Sequence, residues 1–330
     1  MRGRLPRLHY LFLFAILVVC VISLGVSVWT LIKLYTGVQT SATVSAIKEK
    51  TKISTAIANA VKLTSSSYYL GERIAKNQKK VQGYLFLYNI TEKKEELAKK
   101  SESPALPLGS CYAMIGNKAR WQSAAKYGVD PSNNQGLSPT FIYTAIANAV
   151  NVWNSVNPDF TMLGNRDSTI VVDGPDLNSP DGKNEWMFGS IDMEGILAYT
   201  SLWGTFSGSN QEVIEWDQVY NDDDYNWGDA TVNSNLVDLE NICAHELGHS
   251  LALADLYNDI CNDATMYGYA SGGETKKRTL TDGDINGICE IYDCDGGGGG
   301  SSGSGGSPNS GSTFQFPWSL VLLILIVMTL

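Results

Sequence analysis

The stretch Cys243-Ala-His-Glu-Leu-Gly-His-Ser-Leu-Ala-Leu-Ala-Asp255 constrains this chain more than any other. Its His245, Glu246 and His249 are spaced H-E-x-x-H. On a helix, positions four apart share a face, so the two imidazoles can converge on one metal ion with Glu246 beside them. The chain has 3 histidines, and the one outside this stretch is His9 at the N-terminal end. A third protein ligand for a zinc ion here is therefore not a histidine, and Asp255, six residues past His249, is the candidate. Zinc accepts carboxylate oxygen alongside imidazole nitrogen.

Composition limits the partners. Residues 104–330 carry 28 Asp/Glu against 8 Lys/Arg, whereas residues 41–103 carry 12 Lys/Arg against 6 Glu. A nucleic-acid partner needs a basic face, so the acidic part is not expected to bind one. Residues 10–32 are an almost unbroken apolar run with Arg2, Arg4 and Arg7 before it and Lys33 after. About 20 apolar residues suffice to span a bilayer, and the positive flank places the N-terminus on the cytoplasmic side. Residues 1–35 thus read as a signal-anchor or transmembrane segment, with a cleaved signal peptide as the alternative. Residues 36–108 are rich in Ala, Ser, Thr, Lys and Glu up to the break Ser103-Pro-Ala-Leu-Pro-Leu-Gly109. They read as helical, either a stalk or an inhibitory pro-segment, with the stalk preferred. Residues 295–313 are a Gly/Ser linker, and residues 314–330 are an apolar tail. That tail is expected to be a lipid-anchor exchange signal or a second membrane contact.

The intervening domain, 109–294, mixes strands and helices. Ser138-Pro139 opens a helix, with Ser as N-cap and Pro at its first position; Phe141, Ile142, Ala145, Ile146, Ala149, Val150 and Trp153 follow at helical spacing. Strands are expected over 121–129, 169–172, 195–200 and 213–220, and the motif helix from near Val237. Of the 6 cysteines, Cys20 lies in the apolar run. Five remain, so one thiol is left over or pairs between chains. Pairing Cys243 with Cys261 would brace the motif segment, and pairing Cys111 with Cys289 or Cys294 would join the domain ends. A third use, Cys111 as an inhibitory thiolate toward the metal, stays open.

Three features line up behind the H-E-x-x-H. Asp255 stands where the third ligand of an elongated H-E-x-x-H-x-x-G-x-x-H/D motif belongs. Thr265-Met-Tyr-Gly268 resembles the methionine turn of metzincins, and Arg278–Tyr292 resembles the closing helix of matrixins. Upstream, Ile196-Leu-Ala-Tyr199 and Glu215-Trp-Asp217 resemble the edge strand and its neighbour in that domain. Over roughly residues 110–292 the chain is similar to the matrixins, the matrix-metalloprotease family.

The resemblance implies an α+β fold: a twisted mixed sheet, two main helices, a methionine turn and a C-terminal helix. It implies a zinc endopeptidase acting on protein or peptide substrates, which the apolar segments at 10–32 and 314–330 lead one to expect membrane-tethered with its catalytic domain on the extracytoplasmic side. His245, His249 and Asp255 would hold the zinc, and Glu246 would be the general base. Met266 would pack beneath the site. Leu197 and Ala198 would hold an extended peptide as an added strand, and Tyr267 would line the substrate cleft. The alternative is a surface protein that keeps fold and metal without turnover. The histidine count excludes a second, histidine-built zinc site; the loops Asp173–Asp181 and Asp222–Asp224 offer calcium ligands or are plain solvated acids. One departure stands out: the family's glycine after the second histidine is Ala252 here. It either remodels the turn or takes left-handed geometry, at a cost of about 1–2 kcal/mol.

Overall fold

A computed structural model describes residues 53–90, 108–157 and 160–294. The apolar runs 10–32 and 314–330, the linker 295–313 and the ends of the expected stalk lie outside the described residues. Among the described residues no helix is long and apolar enough to cross a membrane.

The chain begins with a short helix α1 (Ile53–Ala58) and the strands β1 (Val61–Lys62), β2 (Ser67–Ile74) and β3 (Lys80–Ile90). Then come β4 (Ala125–Asp130), helix α2 (Pro139–Asn154), β5 (Leu163–Arg166) and β6 (Glu185–Gly189). The long strands β7 (Ile196–Thr205) and β8 (Glu212–Asn221) follow, with the short pair β9 (Trp227–Gly228) and β10 (Val237–Asp238). Helix α3 (Leu239–Ser250), strand β11 (Tyr269–Ala270) and helix α4 (Asp282–Tyr292) complete the domain. The main sheet runs β1-β2-β3-β7-β8-β6-β4-β5. β4, β5, β6 and β8 pair in parallel, while β7 is antiparallel to β8.

Helix α2 forms as its sequence dictates. The Ser138 hydroxyl accepts from the Phe141 N–H, Pro139 fills the first turn, and Ile142, Ala145, Ile146, Ala149, Val150 and Trp153 are buried. These residues pack with α3 over one face of the sheet, in a core that includes Trp186, Leu202, Trp216 and Leu247. Helix α3 starts on Asp238, whose carboxylate caps the Asn241 N–H, offsetting one of the unpaired donors at a helix start. It is buried almost throughout, from Leu239 to Ser250, so it runs beneath the sheet with little of its surface in water.

Three expectations change. The strand expected at 169–172 is loop; the strand at that point of the chain is β5, 163–166. The disulfides are Cys111–Cys261 and Cys289–Cys294, and Cys243 is the buried free thiol. Cys243 lies two residues before His245, so on the helix it faces away from the metal side and from Cys261. Cys111, being paired, is not an inhibitory thiolate.

The largest change is in the segment read as a helical stalk. Residues 61–90 are β-structure, and β3 pairs antiparallel with β7 from Gln82↔Gly204 to Asn89↔Ile196. Along β3, Phe86 and Tyr88 are buried against the helical side, while Val81, Leu85 and Leu87 are buried in a second core on the other side. That period-2 pattern is a strand's; β2 beside it in the chain pairs with it as a hairpin, but β7 lies more than 100 residues away, and the Ala/Lys/Ser-rich surroundings mask the pattern. Gly83 is needed where it stands: a Cβ there would meet the Trp203 ring at 2.6 Å.

Candidate metal centre and its cleft

Helix α3 presents His245 and His249 on one side, four residues apart. Each ring is fixed from behind. His245 Nδ1 donates to the Thr265 carbonyl at 2.7 Å and His249 Nδ1 donates to the Leu253 carbonyl at 2.8 Å. With the proton on Nδ1, each Nε2 offers a lone pair to the same point, which is how metal-binding histidines are held. Asp255 brings its Oδ1 to 3.2 Å from His245 Nε2 and 3.4 Å from His249 Nε2. Ligands about 2.05 Å from a tetrahedral zinc sit ~3.4 Å from one another, so Asp255 Oδ1 stands from each imidazole at the separation expected across a zinc ion, and all three ligand atoms lie within 4.8 Å of one another. His245 Nε2 and Asp255 Oδ1 are buried without any hydrogen-bond partner. Buried orphans of this kind are costly, and a cation between them satisfies both. The donor set therefore fits zinc.

Electrostatics agree. Burial pushes the His245 imidazolium down to about 4, so this ring is neutral near pH 7. Burial acts the same way on His249, but the Asp255 carboxylate outweighs it and the net shift is upward. For Asp255 burial opposes ionisation; the two imidazoles outweigh it and hold the carboxyl well below its ordinary value.

Glu246 is fully buried beside the ligands. Its Oε2 accepts from the Thr200 hydroxyl on β7, while Oε1 has no partner. Burial raises its pKa to about 7, partly offset by His249 and by the Thr200 hydroxyl.

The turn after α3 answers the question posed by Ala252. Its φ is 67°, the left-handed region, so the turn keeps the glycine's geometry with an alanine in it. Its N–H donates to the His249 carbonyl at 2.9 Å and its carbonyl accepts from Ile115 at 2.8 Å. Those bonds hold a conformation that costs about 1–2 kcal/mol for a residue with a Cβ.

Met266 is buried beneath α3: a Cβ on Gly248 would meet its sulfur at 2.2 Å. The turn carrying it is held by Asp284 of α4, whose carboxylate accepts from the Thr265 N–H at 2.9 Å and the Met266 N–H at 3.2 Å. Sequence reading missed Asp284; its place in the first turn of a helix gave only a capping role.

The residues expected on the substrate side are placed as follows. Leu197 and Ala198 are fully buried, and the β7 edge expected to be open is occupied by β3, with Tyr88 paired to Ala198. Tyr267 is half-buried, and its hydroxyl donates to Asp259 at 3.0 Å. It is Tyr269, on β11, that runs beside the cleft, pairing in parallel with Asn89. Two further residues were missed. Tyr257 donates to Asp255 Oδ2 at 2.9 Å, and Thr200 binds Glu246.

A second acidic cluster lies on the opposite face of the sheet. Asp176, Glu215 and Asp217 each place a carboxylate oxygen within 4.8 Å of the others. Glu215 Oε1 and Asp217 Oδ1 are buried without partners. Of the expected calcium loops, Asp173–Asp181 contributes Asp176 here. In the other, Asp222 instead accepts from the Asn134 N–H at 2.7 Å and the Gln135 side chain at 3.3 Å.

An H-E-x-x-H helix under a sheet, a turned-back third ligand and a buried methionine turn define the zinc-metalloprotease architecture of the metzincins. The matrixin family model matches residues 120–293, just over half of the chain, and the chain belongs to the matrixin family. It is 28% identical over 182 residues to matrix metalloproteinase-18 of Xenopus laevis, an overlap of 55% of this chain and 35% of that protein. The chain thus matches about a third of that relative's length.

Proposed function

We propose that residues 109–294 form a zinc metalloendopeptidase. The observation that carries this reading is the convergence of His245 Nε2 and His249 Nε2 on Asp255 Oδ1, at 3.2 Å and 3.4 Å, with His245 Nε2 and Asp255 Oδ1 buried orphans. A zinc ion held there would supply Lewis acidity toward a peptide carbonyl and lower the pKa of a bound water. The chain's own contribution is Glu246. Its unpartnered Oε1 would take a proton from the attacking water and return it to the leaving nitrogen. The Thr200 hydroxyl holds the other oxygen, so the carboxylate keeps one orientation.

Two disulfides support an address outside the cytoplasm. The tether through residues 10–32 is proposed on the length of the apolar run alone. Retention of the full chain in membranes washed with alkaline carbonate is its expected signature; release would count against it. The Asp176, Glu215 and Asp217 cluster is proposed as a calcium site, supported by its orphan oxygens.

Because β3 covers the histidines, the test of the enzyme compares the unaltered chain with one carrying Phe86→Ala and Tyr88→Ala. In the altered chain, cleavage of a quenched peptide should be chelator-sensitive. Adding Glu246→Gln should abolish cleavage while one zinc per chain stays bound. Cleavage undiminished by Glu246→Gln would refute the assigned base. The covered cleft also favours a second reading, a metal-holding surface protein without turnover. Zinc-loaded chains that stay inactive after the cover is loosened would select that reading.

A further inference from the structure

The occupant of the cleft carries information of its own. β3 runs antiparallel to β7 along one edge; along its other edge it pairs with β2 as far as Phe86 and, at Asn89 and Ile90, in parallel with β11. Its side chains alternate, so Phe86 and Tyr88 both point toward α3. The Phe86 ring stacks on His249 with centroids 4.3 Å apart, and the Tyr88 ring stacks on His245 at 3.7 Å. Together they leave His245 and His249 no more than 1% exposed. Tyr88 is itself 1% exposed. Its hydroxyl donates to the Tyr269 carbonyl at 3.4 Å, and the buried Lys277 ammonium lies 5.7 Å from its ring centre. Just before β2, Ser66 caps the same site from the side: its hydroxyl bonds Tyr257, which holds Asp255, and its carbonyl accepts from Leu87 of β3.

The fit is built along the whole strand. Gly83 makes room for the Trp203 ring, the Phe206 N–H donates to Gln82 at 3.1 Å, and Tyr84 packs edge-on against Phe206 at 5.0 Å. No cysteine occurs between residues 53 and 90, so the cover uses no thiolate on the metal; it works by strand addition and aromatic stacking.

We infer that β3 is an intramolecular pseudosubstrate: it fills the peptide-binding strand position, and Tyr88 fills a side-chain pocket formed by His245, Tyr269 and Lys277. The chain is closed to peptides while the β2–β3 hairpin is docked and opens when it is displaced. The occupant also identifies the substrate class: extended segments with aromatic side chains two residues apart, the second entering the pocket. Lys277 beside that pocket disfavours Lys or Arg there and favours an aromatic ring, whose face attracts a cation. The covering of the metal stands on the contacts alone; the substrate preference rests on the endopeptidase reading.

Two independent alterations of the full chain test this. Phe86→Ala with Tyr88→Ala removes the stacked rings. Gly83→Val drives a side chain into Trp203 and pushes β3 off β7 without touching the metal site. For each, zinc extraction by a chromogenic chelator and cleavage of a quenched peptide carrying Phe-x-Tyr are followed, with circular dichroism as a check on the fold. Both alterations should speed zinc extraction and cleavage by at least about tenfold, the factor produced by 1.4 kcal/mol. A synthetic peptide of residues 80–90 added in trans should slow both again, and its Tyr88→Ala counterpart should not. The free peptide should need far higher concentration than the tethered strand, whose effective concentration is set by its linkage. Faster extraction without cleavage would keep β3 as the cover of the metal and overturn the endopeptidase reading instead. Unchanged extraction and cleavage in folded Gly83→Val and in folded Phe86→Ala/Tyr88→Ala would overturn the pseudosubstrate. Peptide cleavage without preference for an aromatic pocket residue would overturn the substrate class.

Discussion

Gly248 sits inside the H-E-x-x-H segment, one residue before the second histidine, and its lack of a side chain is a packing requirement. A Cβ there would stand 2.2 Å from the Met266 sulfur and 2.9 Å from Cζ2 of Trp153. Neither neighbour has room to yield: Met266 is 1% exposed and Trp153 0%, and the Trp153 indole is pinned by donating to the Ala244 carbonyl at 2.7 Å. Overpacking a full core costs about 1–3 kcal/mol. Losing the indole hydrogen bond adds ~1 kcal/mol. Against this, alanine gains about 1 kcal/mol over glycine inside a helix. Gly248→Ala should therefore destabilise the domain by about 1–3 kcal/mol. At roughly 2–4 °C per kcal/mol for a domain of this size, Tm should fall by about 2–12 °C. Because Met266 underlies the histidines, the Tm gain on adding zinc, which measures binding to the folded state, should shrink as well. Differential scanning calorimetry with and without zinc reads both. Combining the change with Met266→Ala should reveal coupling, the alanine costing less once the sulfur is gone. A Tm equal to or above that of the parent, with an undiminished zinc response, would refute the packing argument.

Three further outcomes are expected. Burial raises Glu215 to about 9, Asp176 to about 6 and Asp217 well above its ordinary value, whereas unfolded carboxyls titrate near 4. Between about pH 4 and pH 9 the fold thus holds more protons than the unfolded chain, so stability falls as pH rises, by ~1.4 kcal/mol per pH unit for Glu215 while it stays protonated in the fold alone. Calcium binds the ionised carboxylates and should flatten or reverse that slope; a Tm in chelator that climbs steadily from pH 5 to 9 would contradict the assignment. The Cys111–Cys261 disulfide closes a loop with a sequence separation of 150, which corresponds to about 4–5 kcal/mol of unfolded-state entropy; Cys111→Ser with Cys261→Ser should lower Tm by well over 5 °C, and an unchanged Tm would remove its structural role. Ala252→Gly relieves the left-handed strain but loses a buried methyl, worth ~0.8 kcal/mol, and loosens the unfolded chain by a similar amount. Its Tm should stay within a few degrees of the parent, and a large drop would mean the strain estimate is wrong.

The sequence by itself determined which residues make up the candidate metal site. Metal ligands that share a helix are a matter of local spacing: His245 and His249 must meet because a helix turns every 3.6 residues. With only 3 histidines in the chain, the third donor had to be sought among other ligand types. Helix α2 was legible for the same reason, since its cap, its first-turn proline and its apolar stripe are all encoded within one short window. Even the odd thiol followed from parity, though which cysteine it was did not.

What only the tertiary structure decided depends on pairing across the chain. Cys111 meets Cys261 because loops distant in sequence are brought together. Asp284 holds the Met266 turn across 18 residues, and Tyr257 and Thr200 reach the site from a loop and a strand that share no motif with it. Above all, the identity of residues 61–90 is set by what they dock against. The run Val81-Gln-Gly-Tyr-Leu-Phe-Leu-Tyr88 carries a strand's aromatic and apolar signal, but the Ala, Ser and Lys around it give the whole segment a stalk's composition. β-structure is stabilised by cross-strand neighbours more than by intrinsic preference. For β3 the neighbours beyond the adjacent β2 are β7, β11 and the two histidines of the candidate metal site, which the chain supplies only after it has folded.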